Sequence, residues 1–212
     1  EMRGYFIIVA AAVLFITLNA RESFSSLFMA VHHVLFQVAS IITTTGYATV
    51  DFDKWPEFSK CILLLLMMIG ACAGSTGGGM KVSRVMIAFK EAVRELGTVI
   101  HPRSVKVIKY EGKTLAQGTL RTLNSYIIVY FFLFFLSILI VSLDNYDFMT
   151  SFSAVAANFN NVGPGLSAVG PMSNYSVLSY LSKSVLIFDM LAGRLELFPV
   201  LVLFSPNTWR QQ

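Results

Sequence analysis

The run from Tyr126 to Leu143 holds eighteen consecutive residues without a charge and is dense in Phe, Ile and Leu. A segment of that kind approaches the roughly 20 apolar residues needed to cross a bilayer core. Irregular backbone at membrane depth is tolerated only where it is buried in protein or lines a water-filled cavity, so such a chain is expected to be built from helices. Composition agrees, because 55% of residues are hydrophobic and 13% charged, whereas soluble domains average about 25% charged. The expected class is an all-α integral membrane protein. Cys61 and Cys72 lie inside apolar segments and read as small buried hydrophobes, not as a disulfide or metal pair. The first apolar segment has no cleavage site of the signal-peptide type. The chain opens at Glu1 and passes almost at once into a span, as a piece of a longer polypeptide would.

A first helix is expected over Arg3–Asn19. Ser23 is placed to cap a second helix, whose apolar positions Leu27, Val31, Val34, Leu35, Val38 and Ile41 recur at helical spacing. That helix stops at Thr43 instead of continuing, which suits a re-entrant pore helix. His32 and His33 lie on it with no third ligand near in sequence, so packing is their expected role.

The stop is followed by Thr43-Thr44-Thr45-Gly46-Tyr47, a polar loop between apolar segments. Because Gly tolerates positive φ, successive carbonyls in such a run can point the same way and replace the water around a dehydrated cation. A second loop, Asn160-Asn161-Val162-Gly163-Pro164, stands in the same relation to its neighbours, with Gly163 lying 117 residues beyond Gly46. Pro is compatible there, since the position needs a carbonyl and not an N–H. Repetition, more than either loop alone, points to cation-selectivity loops. The second unit follows the order of the first: a span over Tyr126–Leu143, a short helix over Phe148–Phe159, the loop, and a returning span over Leu178–Phe204.

In the first unit the returning span, read as Cys61–Ala73, is broken by Gly74-Ser75-Thr76-Gly77-Gly78-Gly79. A phosphate loop is excluded, because Met80 separates the last Gly from Lys81 and Val82 stands where Ser or Thr is required. Four glycines in six residues dissolve a helix and do not form a packing stripe, so the segment is expected to line the pathway as a gate. Gly193-Arg194 falls at a similar distance beyond its own loop, 30 residues against 28 for Gly74. An Arg in a span is a functional candidate. Neutralisation by Glu196 or Asp189 is the structural alternative. Acidic residues Asp51, Asp53, Glu57, Asp144 and Asp147 fall at the outer ends of the spans, where they would draw cations.

Residues 81–121 carry nine Lys and Arg against three Glu, a local +6 in a chain whose total is +4. The positive-inside rule makes this segment, and a C-terminus marked by Pro206 and Trp209-Arg210, cytoplasmic, and this explains the basic character without a nucleic-acid partner. Within it Val105–Leu115, with Glu111-Gly112-Lys113 at its turn, reads as a small hairpin after a helix ended by His101-Pro102. The chain thus divides into a first pore unit over 1–98, a basic connector over 99–118 and a second pore unit over 119–212. No paired carboxylates, nucleophile–base arrangement or metal cluster suggests an enzyme. Two alternatives remain, a non-conducting structural or receptor subunit of the membrane and an intramembrane enzyme using Ser75 or His32 and His33.

Several stretches carry a family resemblance: Thr44-Thr45-Gly46-Tyr47, Gly70-Ala71-Cys72-Ala73-Gly74-Ser75-Thr76-Gly77-Gly78-Gly79-Met80-Lys81, His101-Pro102, Asn160-Asn161-Val162-Gly163-Pro164-Gly165-Leu166 and Gly193-Arg194-Leu195-Glu196. In this order they resemble Trk-type potassium uptake proteins of the TrkH/TrkG branch. The resemblance implies four span–pore helix–loop–span repeats in a bacterial inner membrane, of which this chain looks like the third and fourth. It implies potassium as the substrate and no cofactor. Carbonyls of Thr44, Thr45, Gly46 and Tyr47, with Asn161, Val162, Gly163 and Pro164, would supply two quadrants of the filter. Gly74, Ser75, Thr76, Gly77, Gly78, Gly79, Lys81 and Arg194 would form the gate. Implied partners are the missing N-terminal half of the pore, a second copy in a homodimer, a cytosolic nucleotide-binding regulatory subunit and the lipid bilayer.

Overall fold

The computed structural model describes residues 1–101, 107–195 and 197–203. The expectations resting on Pro102, Arg103, Val105, Lys106, Glu196, Phe204, Pro206 and Trp209-Arg210 lie outside the described residues. The chain is mainly helical. It runs α1 (Met2–Asn19), α2 (Leu27–Ile42), α3 (Glu57–Ile69), α4 (Val82–Ile100), a hairpin of β1 (Lys109–Tyr110) and β2 (Lys113–Thr114), α5 (Gln117–Val141), α6 (Phe148–Phe159), α7 (Tyr180–Arg194) and α8 (Leu197–Leu203).

Two of the described helical segments, Met2–Asn19 and Gln117–Asp144, are long and apolar enough to cross a membrane. Both keep large apolar side chains exposed, among them Phe6, Ile7, Leu14, Ile128, Phe132 and Leu139. On α5 the buried residues Leu120, Leu123, Tyr126, Tyr130, Phe134, Ser137 and Val141 recur every three or four positions and make one inward stripe. The helix starts nine residues before Tyr126, and its polar first turns pack Leu120 and Leu123 against Ile87 and Ile108 in a small separate core.

Of the two pore-helix candidates, α6 is almost wholly buried, whereas α2 buries one face and exposes the other. α2 packs between α1 and α3, α6 between α5 and α7, and α3 meets α6, so that α2 and α6 both end near the middle of the chain's core. α2 is capped by Ser26 and not by Ser23: Ser26 has extended backbone and its hydroxyl accepts from the Met29 amide at 3.2 Å, while Ser23 belongs to the preceding 3-10 turn. α6 has the bounds expected from the sequence, with Asp147 capping at its start.

Both returning segments break earlier than expected. α3 runs from Glu57 to Ile69, and the chain leaves it at Gly70 (φ +71°), not at Gly74. Gly70 lies against the loop folding back beneath it, where a Cβ would sit 2.6 Å from the Gly78 carbonyl. The expected single span Leu178–Phe204 is two helices, α7 and α8, interrupted at Leu195. Pro199 supplies the reason, since it has no N–H to offer the Leu195 carbonyl four residues before it. In the hairpin Tyr110 pairs with Lys113, so the turn is Glu111-Gly112, both with positive φ, and Lys113 already belongs to the strand.

Candidate functional site: two polar loops above a glycine-rich loop

The ends of α2 and α6 turn by the same backbone bonds. After α2 the amides of Thr44, Thr45 and Gly46 donate to the carbonyls of Ile41, Ser40 and Ser40 at 3.0, 2.8 and 3.4 Å. After α6 the amides of Asn161, Val162 and Gly163 donate to Asn158, Ala157 and Ala157, again at 3.0, 2.8 and 3.4 Å. Thr44 and Asn161 both hold φ of +56°. Each helix also closes on a side chain: Thr43 Oγ1 donates to the Ala39 carbonyl at 2.7 Å, and Asn160 Nδ2 to that of Ala156 at 2.8 Å.

The loops touch. At Gly46 a Cβ would stand 2.0 Å from the Val162 carbonyl oxygen and 3.2 Å from Pro164 Cδ, which makes the absence of a side chain there a condition of the approach. Among the described residues nothing lies within 4 Å of the corresponding point at Gly163. Thr45, Gly46, Tyr47, Val162, Gly163 and Pro164 line one side of an open cavity of about 840 Å³, whose far wall is α7 with the segment before it. Two of the loop carbonyls already accept hydroxyls, Tyr47 from Ser40 Oγ at 2.6 Å and Gly163 from the Tyr175 phenol at 2.7 Å. A carbonyl has a second lone pair for another partner.

Directly against these loops lies the segment after Gly70. The Gly78 amide donates to Thr44 Oγ1 at 3.2 Å. A Cβ at Gly78 would come within 2.1 Å of the Asn160 carbonyl, and one at Gly77 within 3.0 Å of Thr44 Oγ1. Lys81 Nζ donates to the carbonyls of Ser75 and Gly77 at 2.8 and 2.6 Å, drawing the loop into a ring closed further by Ser75 Oγ on the Cys72 carbonyl. From α7, Arg194 Nη1 donates to the Thr76 carbonyl. Ser75, Thr76, Gly77, Gly79, Lys81, Gly193 and Arg194 enclose a polar recess of about 260 Å³ together with Arg84 and Tyr126. Every member of the expected gate except Gly74 is thus gathered at one place; at Gly74 a Cβ would meet no atom of the described residues within 4 Å.

Asp189 takes a different partner from the one weighed for it. Fully buried, it accepts from Ser137 Oγ at 2.8 Å. The outer carboxylates are built into loops: Asp53 accepts from the Ser167 amide at 2.8 Å, Asp144 from that of Ser179 at 2.9 Å, and Asp147 caps α6. The Thr150 hydroxyl, more than any other neighbour, holds the Asp147 carboxyl below the usual carboxylate range. Asp51 pairs with Lys54 and Glu57 with Lys60. His33 Nδ1 lies 3.1 Å from Thr49 Oγ1 and stacks on Phe24, and no metal-binding group of His, Cys, Asp and Glu occurs among the described residues.

Sequence reasoning named Gly70 and Gly193 without their packing role, and missed Tyr130 and Tyr175. Gly193 packs so closely under the second loop that a Cβ would stand 1.8 Å from the Phe159 carbonyl, while Asn161 Nδ2 donates to Met190 one turn above. The two tyrosines hold the second loop from outside. Their partners are remote in sequence, so no local pattern marks them.

The family model described as a cation transport protein, TrkH, matches residues 5–211. Trk system potassium uptake protein TrkH of Escherichia coli (strain K12) is 39% identical over 188 residues, which cover 89% of this chain and 38% of that protein. TrkH of Vibrio parahaemolyticus is 40% identical over 198 residues, covering 93% and 40%. The crystal structure of the potassium transporter TrkH from Vibrio parahaemolyticus matches with a TM-score of 0.89 at 38% identity, over 98% of this chain and 44% of that one. The chain therefore spans about two fifths of the length of the relatives it matches. It belongs to the TrkH family of cation transport proteins.

Proposed function

We propose that this chain forms two adjacent quadrants of a membrane pore that takes up potassium, the third and fourth of four span–pore helix–loop–span repeats. The observation that carries the reading is the pair of loops after α2 and α6, which share backbone bonds, touch at Gly46 and Val162, and rest on the glycine-rich loop. Carbonyls of Thr44, Thr45, Gly46 and Tyr47 and of Asn161, Val162, Gly163 and Pro164 coordinate the dehydrated cation from two sides. The loop Gly74–Gly79, held by Lys81 and Arg194, obstructs the pathway beneath them. Potassium as the cargo is supported by the names of the relatives.

Two features support an incomplete pore. The cavity beside the loops is open, and α2 leaves Leu27, Phe28, Leu35 and Phe36 exposed among the described residues. A missing N-terminal half covers these side chains and closes the pathway. Residues 81–121 with the C-terminus face the cytoplasm, where a nucleotide-binding regulatory subunit and the second copy of a homodimer have access. In the complete protein, Gly46→Ser forces a side chain into the Val162 carbonyl and should reduce the discrimination between potassium and sodium by at least about tenfold, a loss of ~1.4 kcal/mol. Competition of sodium with rubidium uptake in proteoliposomes measures it. Unchanged discrimination with normal folding would refute the filter assignment.

A further inference from the structure

The two loops share a backbone path but not the side chains that hold it. The first is braced from within: Ser40 Oγ donates to the Tyr47 carbonyl at 2.6 Å, and the hydroxyls of Thr43 and Thr45 are 2.8 Å apart. At the equivalent positions the second loop has Ala157, Asn160 and Val162, which can make neither bond. Its bracing comes from other elements. Tyr130 on α5, 1% exposed, donates to Asn160 Oδ1 at 2.7 Å. The phenol of Tyr175, in the segment before α7, donates to the Gly163 carbonyl at 2.7 Å.

Both tyrosines are suited to holding a loop still. The Tyr130 ring meets Phe159 edge-on at 4.9 Å and stacks on Phe134 at 6.2 Å, so its hydroxyl is aimed by packing on both faces. Asn160 is fully buried and spends its amide nitrogen on Ala156, leaving Oδ1 for Tyr130. The Asn160 carbonyl is also the atom against which Gly78 rests, so the same bond fixes the contact between the second loop and the glycine-rich loop.

We propose that Tyr130 and Tyr175 are positioning residues for the cation filter, bracing the second loop from outside, at Asn160 and Gly163, where the first loop is braced by its own hydroxyls at Thr43, Thr45 and Tyr47. The inference rests on the filter reading given above. A carbonyl site prefers one cation radius only while its oxygens cannot follow a smaller ion inward, and a site is held to that tolerance by groups that are themselves locked. Loss of either phenol frees the second loop at one end and leaves the first untouched.

The test uses the complete protein in proteoliposomes, with sodium competing against rubidium uptake. Tyr130→Phe and Tyr175→Phe remove one oxygen each and should each lower the potassium-over-sodium preference about fivefold, the change corresponding to one net hydrogen bond. Thr122→Val is the control, since that hydroxyl donates to the Gly118 carbonyl within α5 at 3.1 Å, away from both loops; its preference should equal the parent's. The ratio does not depend on how much protein reaches the membrane. Should uptake by a variant be too slow to measure, the relative protection by potassium and sodium against thermal unfolding of the purified protein gives the same comparison. Parental preference in both Phe variants, with Gly46→Ser shifted, overturns this proposal and leaves the filter reading standing. Parental preference in Gly46→Ser as well overturns both, and an equal fall in Thr122→Val overturns the positioning role alone.

Discussion

Arg194 and Lys81 both hold the glycine-rich loop through its backbone carbonyls. On the proposed gate reading, the Arg194 charge bears on the pathway. At about 5 Å and an effective dielectric of 20 it raises the energy of a passing cation by roughly 3 kcal/mol. Arg194→Ala in the complete protein should therefore increase rubidium flux, by up to about a hundredfold, without changing the preference among cations. Flux equal to the parent's would reduce Arg194 to a tether for Thr76. Its neighbour acts through shape alone. Gly193→Ala places a methyl group on the Phe159 carbonyl and should lower stability by about 1–3 kcal/mol, read as a fall in Tm of the purified protein. The sequence exposes Arg194, because a charge in an apolar run is conspicuous. It hides Gly193, because the need for a bare Cα arises only once α6 lies across α7.

Among the elements, α6 was readable to the residue. Asp147 provides the cap, the apolar run follows, and the Asn160-Asn161 pair suits the turn that ends it. The ends of α3 and α7 were not, since Gly70 and Leu195 stop their helices for reasons that lie in the returning loop and in Pro199. The loops themselves were legible by repetition, whereas the braces from Tyr130 and Tyr175 join residues that no periodicity relates. The cap on α6 carries a pH dependence. The folded-state pKa of Asp147 is depressed by the Thr150 hydroxyl, so its contribution is full above the unfolded value of about 3.9 and is lost as pH falls through the lower folded value. Asp147→Asn keeps a capping side chain but cannot titrate. Below about pH 4 the Tm of that variant should fall less steeply than the parent's, and parallel curves would show that the cap does not sense acid.

At the scale of the molecule, the arrangement leaves polar loops beside an open cavity, which does not suit a chain acting alone in lipid. Exposed carbonyls at membrane depth are tolerable where they face protein or water, so on the proposed reading further pore elements would close the open side. The length of the relatives, well over twice the matched part, supplies room for them. This chain expressed by itself should not support growth of potassium-uptake-deficient cells at low potassium, although it reaches the membrane. Co-expression with the N-terminal half of a matching family member should restore growth. Restoration should fail when the chain carries Gly46→Ser, because the first loop then cannot close against Val162. Growth supported by this chain alone, with the purified material shown to be monomeric, would contradict the four-quadrant pore, for two loops cannot surround an ion on all sides.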